Sequence, residues 1–269
     1  MATTFNRLSD SDAMAGETTF IALNELGYYS LTAVKAGSGK LLLINWVTGA
    51  DIDRLQDSGQ VPGVIDGLAV TRNLNRTVTA VSLTTKNLRL TSWDDGSGLG
   101  PITKVADAVQ PEHALDINIQ PIDSNVTVAN LVTAHRTSGD KLKLIAWQLD
   151  GGTGTITKLG DSGDQDKIRS IGDYRRIAMS TVGEGIVVTA VRTATGNLKV
   201  ITWGISRDGT SLGRLGDSGD WGKVKEIAIA DTVTAVRTDS GRLRLASWDI
   251  SPDGTSVTSY NTKLEGDAD

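Results

Sequence analysis

An aspartate followed by a hydroxyl or small residue recurs along this chain. Asp10 stands in Leu8-Ser9-Asp10-Ser11, and Asp57 and Ser58 in Leu55-Gln56-Asp57-Ser58-Gly59. Asp161 and Ser162 stand in Leu159-Gly160-Asp161-Ser162-Gly163-Asp164, and Asp217 and Ser218 in Leu215-Gly216-Asp217-Ser218-Gly219-Asp220. A weaker copy places Asp107 in Val105-Ala106-Asp107-Ala108. A carboxylate beside a hydroxyl can accept and donate hydrogen bonds to sugar hydroxyls, so these copies read as a ring of equivalent ligand sites. Two other chemistries suit the same residues. Each Asp-Ser-Gly can be a turn whose carboxylate accepts backbone N–H groups or pairs with a base such as Arg136, Arg192 or Arg237. Calcium also takes oxygen ligands, although no run is as dense as an EF-hand loop, and no metal ligand is assigned.

Trp221 follows Asp220 directly and is the aromatic expected to contact a ligand on the aspartate rim; the alternative is a rim residue covering the next unit. Catalysis finds little footing. The two histidines stand in unrelated contexts, His113 in a loop and His135 in place of the valine of a Thr-Ala-Val run, where a core role is expected. Neither Gly-x-Ser-x-Gly nor a phosphate-binding glycine loop occurs. Glycosidases use paired carboxylates that break symmetry, whereas these aspartates repeat. No catalytic residue and no cofactor is assigned.

The elements that must hold these residues follow a stricter repeat. Thr-Ala dipeptides begin at Thr32, Thr79, Thr133, Thr189 and Thr234, and a tryptophan follows each by fourteen residues: Trp46, Trp93, Trp147, Trp203 and Trp248. Each unit divides into four short strands. An apolar snippet such as Ile177-Ala178-Met179 comes first, then the Thr-Ala strand, then a strand ending in the tryptophan, then one such as Ile156-Thr157-Lys158-Leu159. Glycine-rich and Asn/Asp turns separate them. Leucine or valine stands three and five residues before each tryptophan, giving one apolar face; Arg89, Lys143, Lys199 and Arg244 stand four before it on the other. A base there is expected to bury its stem and reach a carboxylate or the rim. The tryptophans are expected in the core. Placing them at one end of the blade and the aspartates at the other predicts a separation of roughly 15–20 Å at about 3.3 Å per residue.

Four antiparallel strands repeated five times predict a single domain over residues 1–269: an all-β, five-bladed β-propeller of four-stranded antiparallel blades with repeats of about 45–56 residues. Asn6-Arg7-Leu8-Ser9-Asp10-Ser11 copies the fourth-strand ending Asp53-Arg54-Leu55-Gln56-Asp57-Ser58. Residues 3–9 are therefore expected to form the outer strand of the last blade and close the ring. The rival for that place is Val257-Thr258-Ser259-Tyr260. At the level of architecture the repeat, spanning residues 3–264, is similar to the tachylectin-type lectins; its sequence motifs differ from theirs, and no binding residue is carried over.

Composition narrows the partners. With 27 basic and 32 acidic residues, net charge −5, the chain offers no general attraction to nucleic acid or anionic lipid. It lacks cysteine, a signal-like apolar start and any apolar stretch of about 18 residues. The expectation is a soluble, non-enzymatic, multivalent module, cytoplasmic or secreted after processing, binding glycans as a lectin does. The alternative is a structural or protein–protein interaction propeller with a protein partner, and a glycosidase ranks third.

Overall fold

The computed structural model describes residues 21–25, 29–48, 52–85, 87–95, 100–123, 128–167, 177–183, 185–206 and 208–267. β1 (Ile21–Glu25), β2 (Tyr29–Lys35), β3 (Lys40–Thr48) and β4 (Ile52–Asp57) pair in chain order as an antiparallel meander. The same order returns in β5 (Val61–Asn73), β6 (Arg76–Leu83), β7 (Leu88–Asp94) and β8 (Thr103–Gln110). It returns again in β9 (Leu115–Asp123), β10 (Val128–Arg136), β11 (Lys141–Asp150) and β12 (Ile156–Asp161). After the short β13 (Gln165–Lys167) come β14 (Ile177–Gly183), β15 (Ile186–Arg192), β16 (Leu198–Ile205) and β17 (Leu212–Asp217). β18 (Val224–Ala230), β19 (Val233–Thr238), β20 (Arg242–Ile250) and β21 (Val257–Asp267) form the last. Each meander is a blade. Linkers fold back onto third strands: β13 pairs with β11, and the start of β5 pairs with β3.

The hairpins form where the sequence offers residues that tolerate a left-handed backbone. Gly39, Asp140, Gly196 and Gly241 take positive φ between second and third strands. These turns set the register that places threonine and tryptophan on one face. Thr189 lies opposite Ile201, and Trp203 is two residues further along the same side. The indole Nε1–H donates to the threonine Oγ1 across that diagonal, from Trp46 to Thr32 (2.8 Å), Trp93 to Thr79 (3.0 Å), Trp147 to Thr133 (3.0 Å), Trp203 to Thr189 (2.9 Å) and Trp248 to Thr234 (3.0 Å). The fourteen-residue spacing is thus a hydrogen bond. Burying an indole of about 150–250 Å² contributes up to ~4–6 kcal/mol at ~25 cal/mol/Å², against ~1 kcal/mol for the bond itself. Packing drives the ring inward, and the bond orients it.

Blades stack by unlike faces. The face with leucine, valine and alanine of one blade receives the tryptophan face of the next. Leu31, Ala33, Leu41 and Leu43 meet Val81 and Trp93; Val78, Ala80, Leu88 and Leu90 meet Ile145 and Trp147. Val132, Ala134, Leu142 and Leu144 meet Ile201 and Trp203; Val188, Ala190, Leu198 and Val200 meet Ala246 and Trp248. A second contact backs each of the later joints. The fourth strand bulges beside the tryptophan, because Trp203 pairs with Arg214 while Thr202 pairs with Gly216, leaving Leu215 as the extra residue. Leu215 lies under Gly254 in the next blade, as Val105 lies under Gly154 and Leu159 under Gly209. A Cβ on Gly209 would stand 2.5 Å from Leu159 Cδ1, and one on Gly160 would stand 2.7 Å from the Thr210 carbonyl. The glycine of Leu-Gly-Asp-Ser therefore admits the next blade's backbone.

Two expectations are corrected. The tryptophan and the aspartate are not at opposite ends of a blade: Asp217 lies opposite Ile201, two residues from Trp203, roughly 7 Å along the strand at about 3.3 Å per residue. The third strand runs on beyond the tryptophan to Ile205, so Trp203 is not its end. The fourth-strand place of the last blade is held by β21, with Ile250 opposite Val257 and Arg242 opposite Asp267. A six-residue connection delivers this strand locally. Residues 3–9, expected in that place, lie outside the described residues.

Replacing Thr189 with valine removes the acceptor and leaves the buried Trp203 N–H without a partner, which costs about 1–3 kcal/mol. Thr189→Ser keeps the acceptor. Urea unfolding is expected to show a large fall in midpoint for Thr189→Val and a small one for Thr189→Ser; equal losses would show that the bond contributes nothing beyond packing.

Candidate functional site

The aspartate copies build one local device. The Ser58 amide donates to the Leu43 carbonyl (3.0 Å), and the Ser58 hydroxyl accepts the Leu43 amide (3.1 Å). Ser162 does this with Leu144 (3.0 and 3.0 Å), and Ser218 with Val200 (2.9 and 3.0 Å). Each hydroxyl also donates to the carbonyl of the following glycine: Gly59 (2.8 Å), Gly163 (2.9 Å) and Gly219 (2.9 Å). The serine ends the fourth strand by replacing a backbone acceptor with its own oxygen.

The neighbouring carboxylate holds the turn. Asp57, Asp161 and Asp217 accept the amides of Gly59 (2.8 Å), Gly163 (3.0 Å) and Gly219 (2.7 Å), glycines whose φ of 65° needs no Cβ penalty. The second carboxylate oxygen takes the base three residues earlier: Arg54 for Asp57, Lys104 for Asp107, Lys158 for Asp161 (2.6 Å) and Arg214 for Asp217. Asp107 lacks the serine and instead accepts the Thr91 hydroxyl at 2.7 Å. Burial pushes the Asp161 and Asp217 carboxyls up. Lys158, the Gly163 amide and Lys143 more than offset it for Asp161, and the Gly219 amide, Arg214 and Lys199 do so for Asp217. Both stay below the usual carboxylate range. Each aspartate is thus held within its own blade, and Asp10 lies outside the described residues.

Of the bases four residues before the tryptophans, Lys143 and Lys199 reach a carboxylate as expected, whereas Arg89 reaches a backbone carbonyl and Arg244 an indole. Arg89 is buried and donates to the Pro62 carbonyl at 3.0 Å, Lys143 meets Glu112 at 2.9 Å and Asp161 at 3.8 Å, and Lys199 meets Asp220 at 3.8 Å. Arg244 stacks over Trp221, 5.1 Å from the ring centroid. Trp221 is half-buried against the last joint, edge-on to Trp248 with centroids 5.5 Å apart. Its ring covers the next blade, with one face taken by the guanidinium.

Sequence reasoning missed Glu112. It sits in the linker before β9, where no repeat position marks it, and stands 3.5 Å from Nε2 of the fully buried His135. The His135 imidazole and, against the push of burial, the Lys143 ammonium hold the Glu112 carboxyl down at about 2. It also missed the uncovered face of the last blade. Val188 and Val200 are fully buried in the fourth blade, whereas their counterparts Val233 and Leu245 are 44% and 36% exposed. A groove of about 410 Å³ opens there, lined by Glu226, Ala228, Ala235, Arg237 and Leu243 among others. The residues on this face are of the same types as those buried in the fourth blade, so no local residue pattern encodes it. No group of His, Cys, Asp and Glu among the described residues is arranged to hold a metal ion. No helix among them is long and apolar enough to cross a membrane.

Comparison with solved structures now bears on the fold. The chain is similar to the WD40 repeats of RRP9, with 12% identity and a TM-score of 0.54, covering 90% of this chain and 64% of that one. The fold is a β-propeller. Saccharomyces cerevisiae Sqt1 gives 12% identity and a TM-score of 0.54, covering 99% and 68%. A propeller assigned as a 6-phosphogluconolactonase from Bacteroides fragilis gives 10% and 0.53, covering 91% and 72%. The chain thus spans about two thirds of the length of the structures it matches, and at these identities the likeness is one of fold alone. No protein-family model matches the sequence, and no curated protein matches it.

Glu112 gives a pH dependence with a definite sign. Its folded pKa lies below the ordinary 4.5, so its contribution to stability is complete above about pH 4.5 and is lost as pH falls toward 2. Glu112→Gln is expected to lower the thermal midpoint at pH 7, with the gap to the parent protein narrowing between pH 4.5 and 2.5. A gap that stays constant over that range would overturn the assignment.

Proposed function

We propose that this chain is a non-enzymatic, five-bladed β-propeller that serves as a protein–protein interaction scaffold, its repeats given over to folding. One observation carries the reading. The Asp-Ser-Gly copies, which a lectin would turn toward sugar, spend their oxygens inside the blade on Gly59, Gly163 and Gly219 amides, on third-strand amides and on the base three residues before. The likeness to WD40 repeats supports the same ranking, with a protein partner ahead of a glycan. Counting the meanders supports five blades. The N-terminal segment from residue 3 to residue 9, with its Asp10-Ser11 ending, would add at the last blade, either outside β21 or in exchange with it.

Glycan binding at Asp10, Asp57, Ser58, Asp107, Asp161, Ser162, Asp217, Ser218 and Trp221 is the competing reading, and one pair of substitutions separates the two. Ser162→Ala and Ser218→Ala each remove the acceptor of a third-strand amide and are expected to lower unfolding stability by about 1 kcal/mol apiece. A glycan array at high sugar density is expected to stay blank for the parent protein, while affinity capture at matched stability recovers a protein partner. Array binding that these substitutions abolish without a fall in stability would establish the lectin instead.

A further inference from the structure

The arginines at the ends of the second strands form a matched set with one exception. Arg136, Arg192 and Arg237 hold the same place in the third, fourth and fifth blades, two residues after the alanine of Thr-Ala. Arg136 is 7% exposed and is held by two carboxylates, Asp116 of the first strand at 2.8 Å and Asp140 of the hairpin turn. Arg237 is held by Glu226 at 3.0 Å. Asp116 and Glu226 are equivalent, each standing directly before the isoleucine of the first-strand apolar run. The fourth blade has neither carboxylate. Arg176, outside the described residues, stands before Ile177, and Gly196 stands where Asp140 does. The two turns are otherwise alike. Asp140 and Gly196 take φ of 57° and 88°, and their amides donate to the Thr137 and Thr193 carbonyls at 3.0 and 2.8 Å.

Arg192 is as deeply buried as Arg136, yet among the described residues none accepts a hydrogen bond from its guanidinium or pairs with its charge. Its Nε is enclosed without a partner, while the two terminal nitrogens are not sealed from solvent. The space beside them is what the Asp140 side chain fills in the third blade: a Cβ on Gly196 would stand 3.5 Å from Arg192 Nη2 and 3.8 Å from Nε. Asp220, the carboxylate that meets this turn, is engaged by Asn197 at 2.9 Å, Thr195 at 3.3 Å and Lys199 at 3.8 Å. A guanidinium does not escape burial by losing its proton, and a buried charge without a counter-ion is costly. We propose that Arg192 is a carboxylate-binding site, at which a carboxylate from outside the chain takes the place that Asp140 holds against Arg136. The sister blades set the chemistry, because both filled copies hold carboxylates, and the planar guanidinium fork matches that group's two oxygens. An acidic side chain of a protein or a small free acid supplies the same group, so the inference does not depend on the proposed function.

The test reads the arginine Nε–H resonances of the full-length chain by nuclear magnetic resonance while acetate replaces chloride at constant ionic strength. The Arg192 signal is expected to shift and saturate, and that of Arg136, already paired, to stay in place. Gly196→Asp supplies the missing carboxylate from within, in a turn position where Asp140 shows that aspartate is accepted. This variant is expected to move the Arg192 signal without acetate, to abolish its response to acetate and to raise the thermal midpoint; Gly196→Asn, which adds the same shape without the charge, is expected to keep the response. An acetylated, amidated tri-glutamate peptide identifies the source. Saturation at about a tenth of the acetate concentration or less, counted per carboxylate, points to an acidic protein segment, and equal concentrations point to a small acid. An Arg192 signal that moves no more than that of Arg136 with either probe would overturn the proposal, as would an acetate response that persists unchanged in Gly196→Asp. Neither result bears on the glycan array or the partner capture, so the two readings fail separately.

Discussion

Everything in this protein depends on a tryptophan being held flat between two sheets by a threonine on the adjacent strand. A sheet face that buries an indole must satisfy one N–H in an interior that otherwise offers only methyl groups. The threonine hydroxyl does this from two residues along the neighbouring strand, and its β-branched shape suits the strand that carries it. Once the ring is oriented, its broad side becomes the surface against which the preceding blade lays its leucines. The same residue pair therefore fixes the hairpin register and the joint.

The polar signature has a parallel role at the outer strand. A fourth strand has no strand beyond it, and the point where it leaves the sheet must release a third-strand amide. Serine takes that amide with its side chain, the aspartate gathers the next turn, and the base three residues back neutralises the aspartate. Glycine before the aspartate lets the adjoining blade's backbone cross closely. The motif that looks most like chemistry is an exit device for a strand, repeated because the exit is repeated.

Much of the architecture was legible because its causes are local. Thr-Ala and tryptophan at a constant interval, Gly and Asp at left-handed turn positions, and apolar residues three and five before each tryptophan all act within one hairpin. The meaning of the interval was not legible: spacing alone cannot distinguish a rigid hairpin from a hydrogen bond across it. Reading the tryptophan as a strand end separated it from the aspartate too widely, because nothing in Trp203-Gly204-Ile205 signals that the strand continues. Glu112 was invisible for a different reason. It acts on His135 and Lys143 from a linker with no repeat register, and such contacts depend on how the chain folds back. The exposed face of the last blade has the same residue types as the buried ones, so only the sequence of blades reveals it.

The most direct measurement is hydrogen exchange of the six indole N–H groups under native conditions, resolved by nuclear magnetic resonance. The account predicts that Trp93, Trp147, Trp203 and Trp248 exchange only with global unfolding, because each donates to a buried threonine, while the half-buried Trp221 exchanges much faster. Exchange of those four at the rate of Trp221 would contradict it, since the bond that orients every joint would then not be closed in solution.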